Sequence, residues 1–265
     1  MSEEVSRLLI AAGIAAMLCC TGARADPLDR VTTRGELRVC IWPEYYGITW
    51  RNPRNLQLSG MDIELAKALA TDLGVTARFV DSSFAKLVDD VNGDRCDIAM
   101  FAIGITPERS GRLRFTEPHL ASDVRAVARR SNTSINTWSD IDRKGVVVAV
   151  TRGTLHEALM RERLREATLL ITDSAVQREQ AVQAGRADVF MADVPYSQRM
   201  LETTEWSKVI APATTYNVTQ YAFAVRIGED RWVERVNVFL RKTRSDGRLL
   251  EYARRNKLES IVLLD

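Results

Sequence analysis

The sequence predicts an α/β protein built as two lobes, and three observations carry that expectation. From Glu36 onward, short apolar runs alternate with amphipathic stretches, the pattern of strands and crossover helices that makes largely parallel sheets. One unit occurs twice, as Gly93-Asp94-Arg95-Cys96-Asp97-Ile98-Ala99-Met100 and as Gly185-Arg186-Ala187-Asp188-Val189-Phe190-Met191. In each, a helix-ending glycine precedes an aspartate that opens an apolar run, which suggests two lobes of similar plan rather than one continuous sheet. The length also allows it: 265 residues, 46% hydrophobic and 27% charged, can bury one large core or two modest ones.

Taken in chain order, Arg7 precedes an apolar run over 8–20, and Ala23-Arg24-Ala25 follows with the small-x-small pattern of a signal-peptidase site. Cleavage after Ala25 is expected, because an apolar run of thirteen residues is too short to span a bilayer. Strands are predicted at 37–42, 77–81, 97–103, 146–150, 169–172 and 188–192. The stretch 61–73 sets Ile63, Ala66, Leu69, Ala70 and Leu73 on one helical face and ends at Gly74, a residue suited to the left-handed turn that closes a helix. Ser174 and Gln177 have the spacing of a capping box. Behind Asp230, the residues Trp232, Val236, Phe239 and Leu240 form an apolar helical stripe, read as core. Extended segments at 122–130 and 217–226 suit two crossings between lobes. The expected organisation is therefore a signal peptide at 1–25, the first part of lobe I at 26–121, lobe II at 122–219 and a return to lobe I at 220–265.

Composition excludes several functions. The 37 basic and 35 acidic residues are dispersed, with no block to grip a nucleic-acid backbone. Of the basic residues 31 are arginine, which dilutes the information in any one of them. After cleavage Cys40 and Cys96 would remain, in a compartment that permits a disulfide. Their place among strand-like apolar residues favours buried free thiols over a bridge. His119 and His156 lack a partner at ligand spacing, so neither metal nor cofactor is expected, and both are read as surface or cleft residues.

Ligands of α/β sheets bind beyond the carboxyl ends of the strands, which nominates 42–50, Phe84, 104–109, 151–154 and Asp193. Thr106 and Pro107 read as the cap and first residue of a helix. Arg109 could be a solvated arginine like Arg112 and Arg114, but a guanidinium at a helix start after a strand favours binding a carboxylate. Asp193 would either cap the helix containing Pro195 or accept hydrogen bonds from an ammonium group. Together the two would clamp a zwitterion and draw the lobes shut.

These residues resemble the polar-amino-acid solute-binding proteins of bacterial ABC transporters. The resemblance runs through Gly35-Glu36-Leu37-Arg38-Val39, Gly60-Met61-Asp62-Ile63-Glu64-Leu65-Ala66, the segment 93–97, Ile105-Thr106-Pro107-Glu108-Arg109, the segment 115–118, Gly153-Thr154 and Asp193. It implies the type II periplasmic-binding-protein fold, each lobe a mixed sheet flanked by helices, with two hinge crossings. It further implies a monomeric periplasmic receptor that passes an amino acid to a permease. Carried over position by position, Arg109 is the α-carboxylate arginine, Asp193 the α-ammonium aspartate, and Tyr45 and Phe84 the flanking aromatics. Ala102 would offer a carbonyl and Thr154 would help at the carboxylate. Gly104 departs from the family pattern, where a serine or threonine commonly contacts ligand. Trp42, Tyr46, Ile48, Trp50, Thr151 and Tyr196 are expected to shape specificity.

The second lobe is also similar to the cyclohexadienyl dehydratases, which eliminate water from prephenate or arogenate. In those enzymes a glutamate three residues after the cleft aspartate supplies a proton, and Tyr196 stands there, a much weaker acid. Binding rather than catalysis is therefore expected, with the dehydratase as the alternative enzyme and a non-transport accessory or sensory protein as the third reading.

Overall fold

The computed structural model describes residues 26–265, so the predicted signal peptide lies outside the described residues. The chain enters with α1 (Pro27–Arg34), β1 (Glu36–Ile41), three short strands β2 (Glu44–Tyr45), β3 (Thr49–Arg51) and β4 (Leu58–Ser59), and α2 (Met61–Asp72). It continues through β5 (Thr76–Asp81), α3 (Leu87–Asn92), β6 (Ile98–Gly104), α4 (Pro107–Ser110), β7 (Leu113–Phe115) and β8 (Leu120–Ser122). A second series follows: β9 (Val124–Arg129), β10 (Val147–Thr151), α5 (Leu155–Arg163), β11 (Thr168–Thr172), α6 (Ala175–Gln183), β12 (Val189–Asp193), α7 (Val194–Thr203) and β13 (Ser207–Ile210). The chain ends with β14 (Thr219–Arg226), α8 (Asp230–Ser245) and α9 (Arg248–Arg255).

Two sheets repeat one topology. The first runs β5-β1-β6-β14-β7, with β8 also on β14, and the second runs β11-β10-β12-β9-β13. In each, three strands are parallel and the fourth, β14 or β9, lies antiparallel to the central one. The sheet changes between Ser122 and Val124, and again between Ile210 and Thr219. Asp123, between β8 and β9, accepts hydrogen bonds from the backbone N–H groups of Tyr216 and Asn217 at 3.2 and 2.8 Å, which ties the two crossings side by side.

The duplicated aspartate unit has a structural purpose. The Asp97 carboxylate accepts the Arg38 N–H at 2.8 Å, and that of Asp188 accepts the Val147 N–H at 2.9 Å. Each aspartate thus fastens the entry of the central strand to its parallel neighbour. The α8 stripe of Trp232, Val236, Phe239 and Leu240 is fully buried, and the Trp232 indole donates to the Asp97 carbonyl at 3.0 Å. Burying such a stripe removes apolar surface from water at roughly 25 cal/mol per Å². The helix over 61–72 ends as the pattern predicts, with Gly74 at φ 71°.

Two expectations are corrected. Cys40 and Cys96 form a disulfide, with Cα atoms 5.6 Å apart. Their apolar surroundings fit a thiol or a bridge equally well; what decides is the pairing of β1 with β6, in which Cys40 stands opposite Ala99. His119 is neither a surface nor a cleft residue but a fully buried core residue, its Nε2 3.0 Å from Asp62 Oδ1 and its ring packed at a tilt against Phe223.

Candidate functional site

Between the sheets, at the carboxyl ends of β6 and β12, lies a small cavity. The structure brings all seven residues of the predicted ligand set to its wall: Tyr45, Phe84, Ala102, Gly104, Arg109, Thr154 and Asp193. Trp42 and Tyr196 also line it. The other proposed specificity residues lie elsewhere. Ile48 is buried in the core of the first lobe, Thr151 is buried and not part of the lining, and Tyr46 meets Trp50 edge-on outside the cavity with ring centroids 5.8 Å apart.

The first lobe supplies an aromatic wall. Trp42 meets Phe84 edge-on at 5.1 Å and Tyr45 at 5.3 Å between centroids, a geometry that the ring quadrupoles favour. Thr106 caps α4 by accepting the Arg109 N–H, and Pro107 occupies the first turn, as the sequence predicts. The Arg109 guanidinium lies 5.3 Å from the Phe84 centroid and donates to the carbonyls of Gly104 and Gly153, both at 2.9 Å. Desolvation lowers its pKa to about 10, which leaves it charged at neutral pH, and among the described residues no carboxylate forms an ion pair with it. Behind Ala102 stands Asp62, which accepts the Ala102 N–H at 2.8 Å while facing His119. Ala102 has φ 48°, a left-handed conformation that costs a non-glycine residue about 1–2 kcal/mol, and this buried hydrogen bond holds it there. A side chain at Gly104 would begin 3.1 Å from Thr219 Cγ2 and 3.5 Å from the Arg109 guanidinium, so the space a hydroxyl would take is crowded.

Asp193, the last residue of β12, caps the following helix and also reaches across the cavity. One oxygen caps α7 by accepting the Tyr196 N–H at 3.0 Å, and the other accepts the Tyr45 hydroxyl across the cavity. Burial raises the Asp193 pKa against the lowering effect of these bonds. Tyr221, also buried, lines the cavity beside them. The Thr154 hydroxyl is spent locally, donating to the Thr151 carbonyl at 2.7 Å and capping α5.

The lobes are shut over this cavity. Besides the Tyr45–Asp193 and Arg109–Gly153 contacts, Glu44 accepts the Ala175 N–H at 2.9 Å and Lys257 pairs with Glu202 at 2.8 Å. Gly153 has φ 74°, and a Cβ there would lie 2.5 Å from the Ala85 nitrogen, so only glycine allows this approach.

Sequence reasoning did not nominate Arg178, which lines the cavity, and gave His156 no role. Arg178 is 3% exposed and packs between Phe190 and Tyr196, its guanidinium carbon 4.6 and 4.4 Å from the ring centroids. The available signal was its helical register, in step with the buried Ala175, Ala181 and Val182 on α6. His156 is also buried, and desolvation followed by the Arg178 charge lowers its pKa to about 3, so its imidazole is neutral. Among the described residues no three histidine, cysteine, aspartate or glutamate side chains gather as a metal site.

Comparison with known proteins places this geometry. The pattern of the Bacterial extracellular solute-binding proteins, family 3, matches residues 37–256. A cyclohexadienyl dehydratase of Pseudomonas aeruginosa is 30% identical over 196 residues, covering 73% of each chain. A putative ABC transporter arginine-binding protein 2 of Escherichia coli is 27% identical over 197 residues, covering 73% of this chain and 79% of that one. Among solved structures, an ancestral amino-acid-binding protein described as a precursor of cyclohexadienyl dehydratase superposes with a TM-score of 0.80 at 28% identity, covering 86% of this chain and 98% of the other.

Proposed function

The chain belongs to the bacterial extracellular solute-binding proteins of family 3, and we propose that it is the periplasmic amino-acid receptor of an ABC transporter, monomeric and partnered by a membrane permease. One arrangement carries this reading: Arg109 from the first lobe and Asp193 from the second line the same cavity. A carboxylate on the arginine and an ammonium group on the aspartate would bridge the two lobes, so that ligand stabilises the closed form by its differential affinity for it.

A second reading, elimination of water from a cyclohexadienyl acid, is favoured by the dehydratase relative and by the raised pKa of Asp193, a cavity carboxyl that could hold a proton. Against it, burial pushes the Tyr196 phenol well above its ordinary value, and its hydroxyl is engaged by Glu179.

The test is thermal-shift screening of the purified protein against amino acids, related organic acids and prephenate, with a parallel assay for phenylpyruvate. Ligand that binds only the folded state raises the midpoint by mass action. The expected outcome is a shift with one class of amino acid and no product, and at least about tenfold weaker binding in Arg109→Ala, since truncating one member of a buried charged contact is costly. Turnover of prephenate would replace the receptor reading with the enzyme.

A further inference from the structure

Arg178 is a charged group with spare donors, and the cavity wall gives it nothing to bind. Its Nη1 donates to the Met191 carbonyl at 3.1 Å, while Nε and Nη2 are buried without a hydrogen-bond partner. The neighbouring Glu179 does not answer it, being held by Arg199 at 2.8 Å and by the Tyr196 hydroxyl. Among the described residues no carboxylate forms an ion pair with Arg178. The Phe190 and Tyr196 rings, set at 86° to each other, pack against the guanidinium but offer its Nε and Nη2 donors no acceptor, and a guanidinium cannot lose its proton to escape the cost of burial.

The same cavity contains another unmatched group. His156 Nε2 is buried without a partner, and the imidazole feels the Arg178 charge. Counting the charged side chains on the wall gives Arg109 and Arg178 against Asp193, one positive charge in excess. A neutral zwitterion would leave that excess in place, and a cationic amino acid would double it. A ligand of net charge −1 would cancel it.

We infer that the ligand is an acidic amino acid, whose α-carboxylate meets Arg109, whose ammonium group meets Asp193 and whose side-chain carboxylate meets the free donors of Arg178. This rests on the receptor reading of the same site. It sets the chain apart from a relative named for arginine, because here a guanidinium belongs to the protein where a cationic side chain would need an acid.

The experiment is calorimetric titration of the full protein, stripped of resident ligand by unfolding and refolding, with L-glutamate, L-glutamine, L-aspartate, L-asparagine and L-arginine. Each acid and its amide differ by one charge at nearly constant shape. The expected result is that one acid binds at least about 100-fold more tightly than its amide and than L-arginine, the scale set by a desolvated charged contact. In Arg178→Gln the acid and amide should converge to within about fivefold, with the amide no weaker than in the wild type. Amides or L-arginine binding as tightly as the acids, or an acid preference that survives Arg178→Gln, would overturn the inference and leave the receptor intact. Binding of none of the five, with prephenate turned over, would overturn the receptor reading as well. Should Arg178→Gln fail to fold, the wild-type comparison of acid with amide decides alone.

Discussion

Asp97 and Asp188 hold the same place in the two sheets, yet their surroundings differ. Asp97 is fastened by Arg38 at 2.8 Å and also by Arg34, and the Cys40–Cys96 bridge lies beside it. Asp188 has one side-chain partner among the described residues, Asn132, at 3.2 Å. The cavity divides the other way. Of its arginine, histidine and acidic side chains, Arg109 comes from the first lobe, while Arg178, His156 and Asp193 come from the second. One lobe is cross-linked and presents an aromatic wall; the other lacks a disulfide and supplies most of the cavity's charged side chains. A receptor divided in this way keeps a firm frame on one side and leaves the ligand to complete the other.

The largest way to break this comparison is to remove the bridge. The cysteines are 56 residues apart, and closing a loop of that length restricts the unfolded chain by about 4 kcal/mol in the chain-entropy treatment. Replacing both with serine should lower unfolding stability by about that amount in denaturant titration while leaving ligand affinity nearly unchanged. A large loss of affinity with little loss of stability would place the bridge in the site rather than in the frame.

A smaller effect sharpens the same contrast. Asp97→Asn should destabilise by about 2–3 kcal/mol, because it leaves Arg38 and Arg34 without their acid, whereas Asp188→Asn should cost about 1 kcal/mol, the loss of a charge-assisted bond to backbone. Equal losses in parallel denaturant titrations would show that the arginines around Asp97 add little.

Which features were legible in the sequence follows from how far apart the interacting partners stand. The strands announced themselves as apolar runs, and the observed β10 and β12 begin and end one residue later than expected. Arg109 and Asp193 were legible because each stands at a strand end beside a helix start marked by proline. Arg178 was not, since it lies inside a helix in a chain of 31 arginines, and only its register with Ala175 and Val182 sets it apart. His119 and Asp62 are 57 residues apart, so nothing local says that the histidine is a core residue. The disulfide was hidden for the same reason. Specificity residues fared unevenly because strand-end position says nothing of which way a side chain points: Trp42 faces the cavity and Ile48 the core.

The smallest expected effect isolates the second lobe's buried imidazole. His156 titrates near 3 in the folded protein, held down first by desolvation and then by Arg178, whereas an unfolded histidine titrates near 6.5. Between these values the unfolded chain binds a proton that the folded chain refuses, so stability falls as pH falls through this window. The loss should be about 1 kcal/mol between pH 7.5 and 5.5. Asp193 acts in the opposite sense, since its raised pKa makes the folded state the stronger binder of a proton as the pH falls. Comparing wild type with His156→Gln cancels Asp193 and leaves the imidazole. In urea titrations at both pH values, the variant should lose about 1 kcal/mol less than the wild type on acidification. Identical acid sensitivity would mean that the folded protein accepts the proton, and His156 would then add a second positive charge beside Arg178 rather than a neutral acceptor.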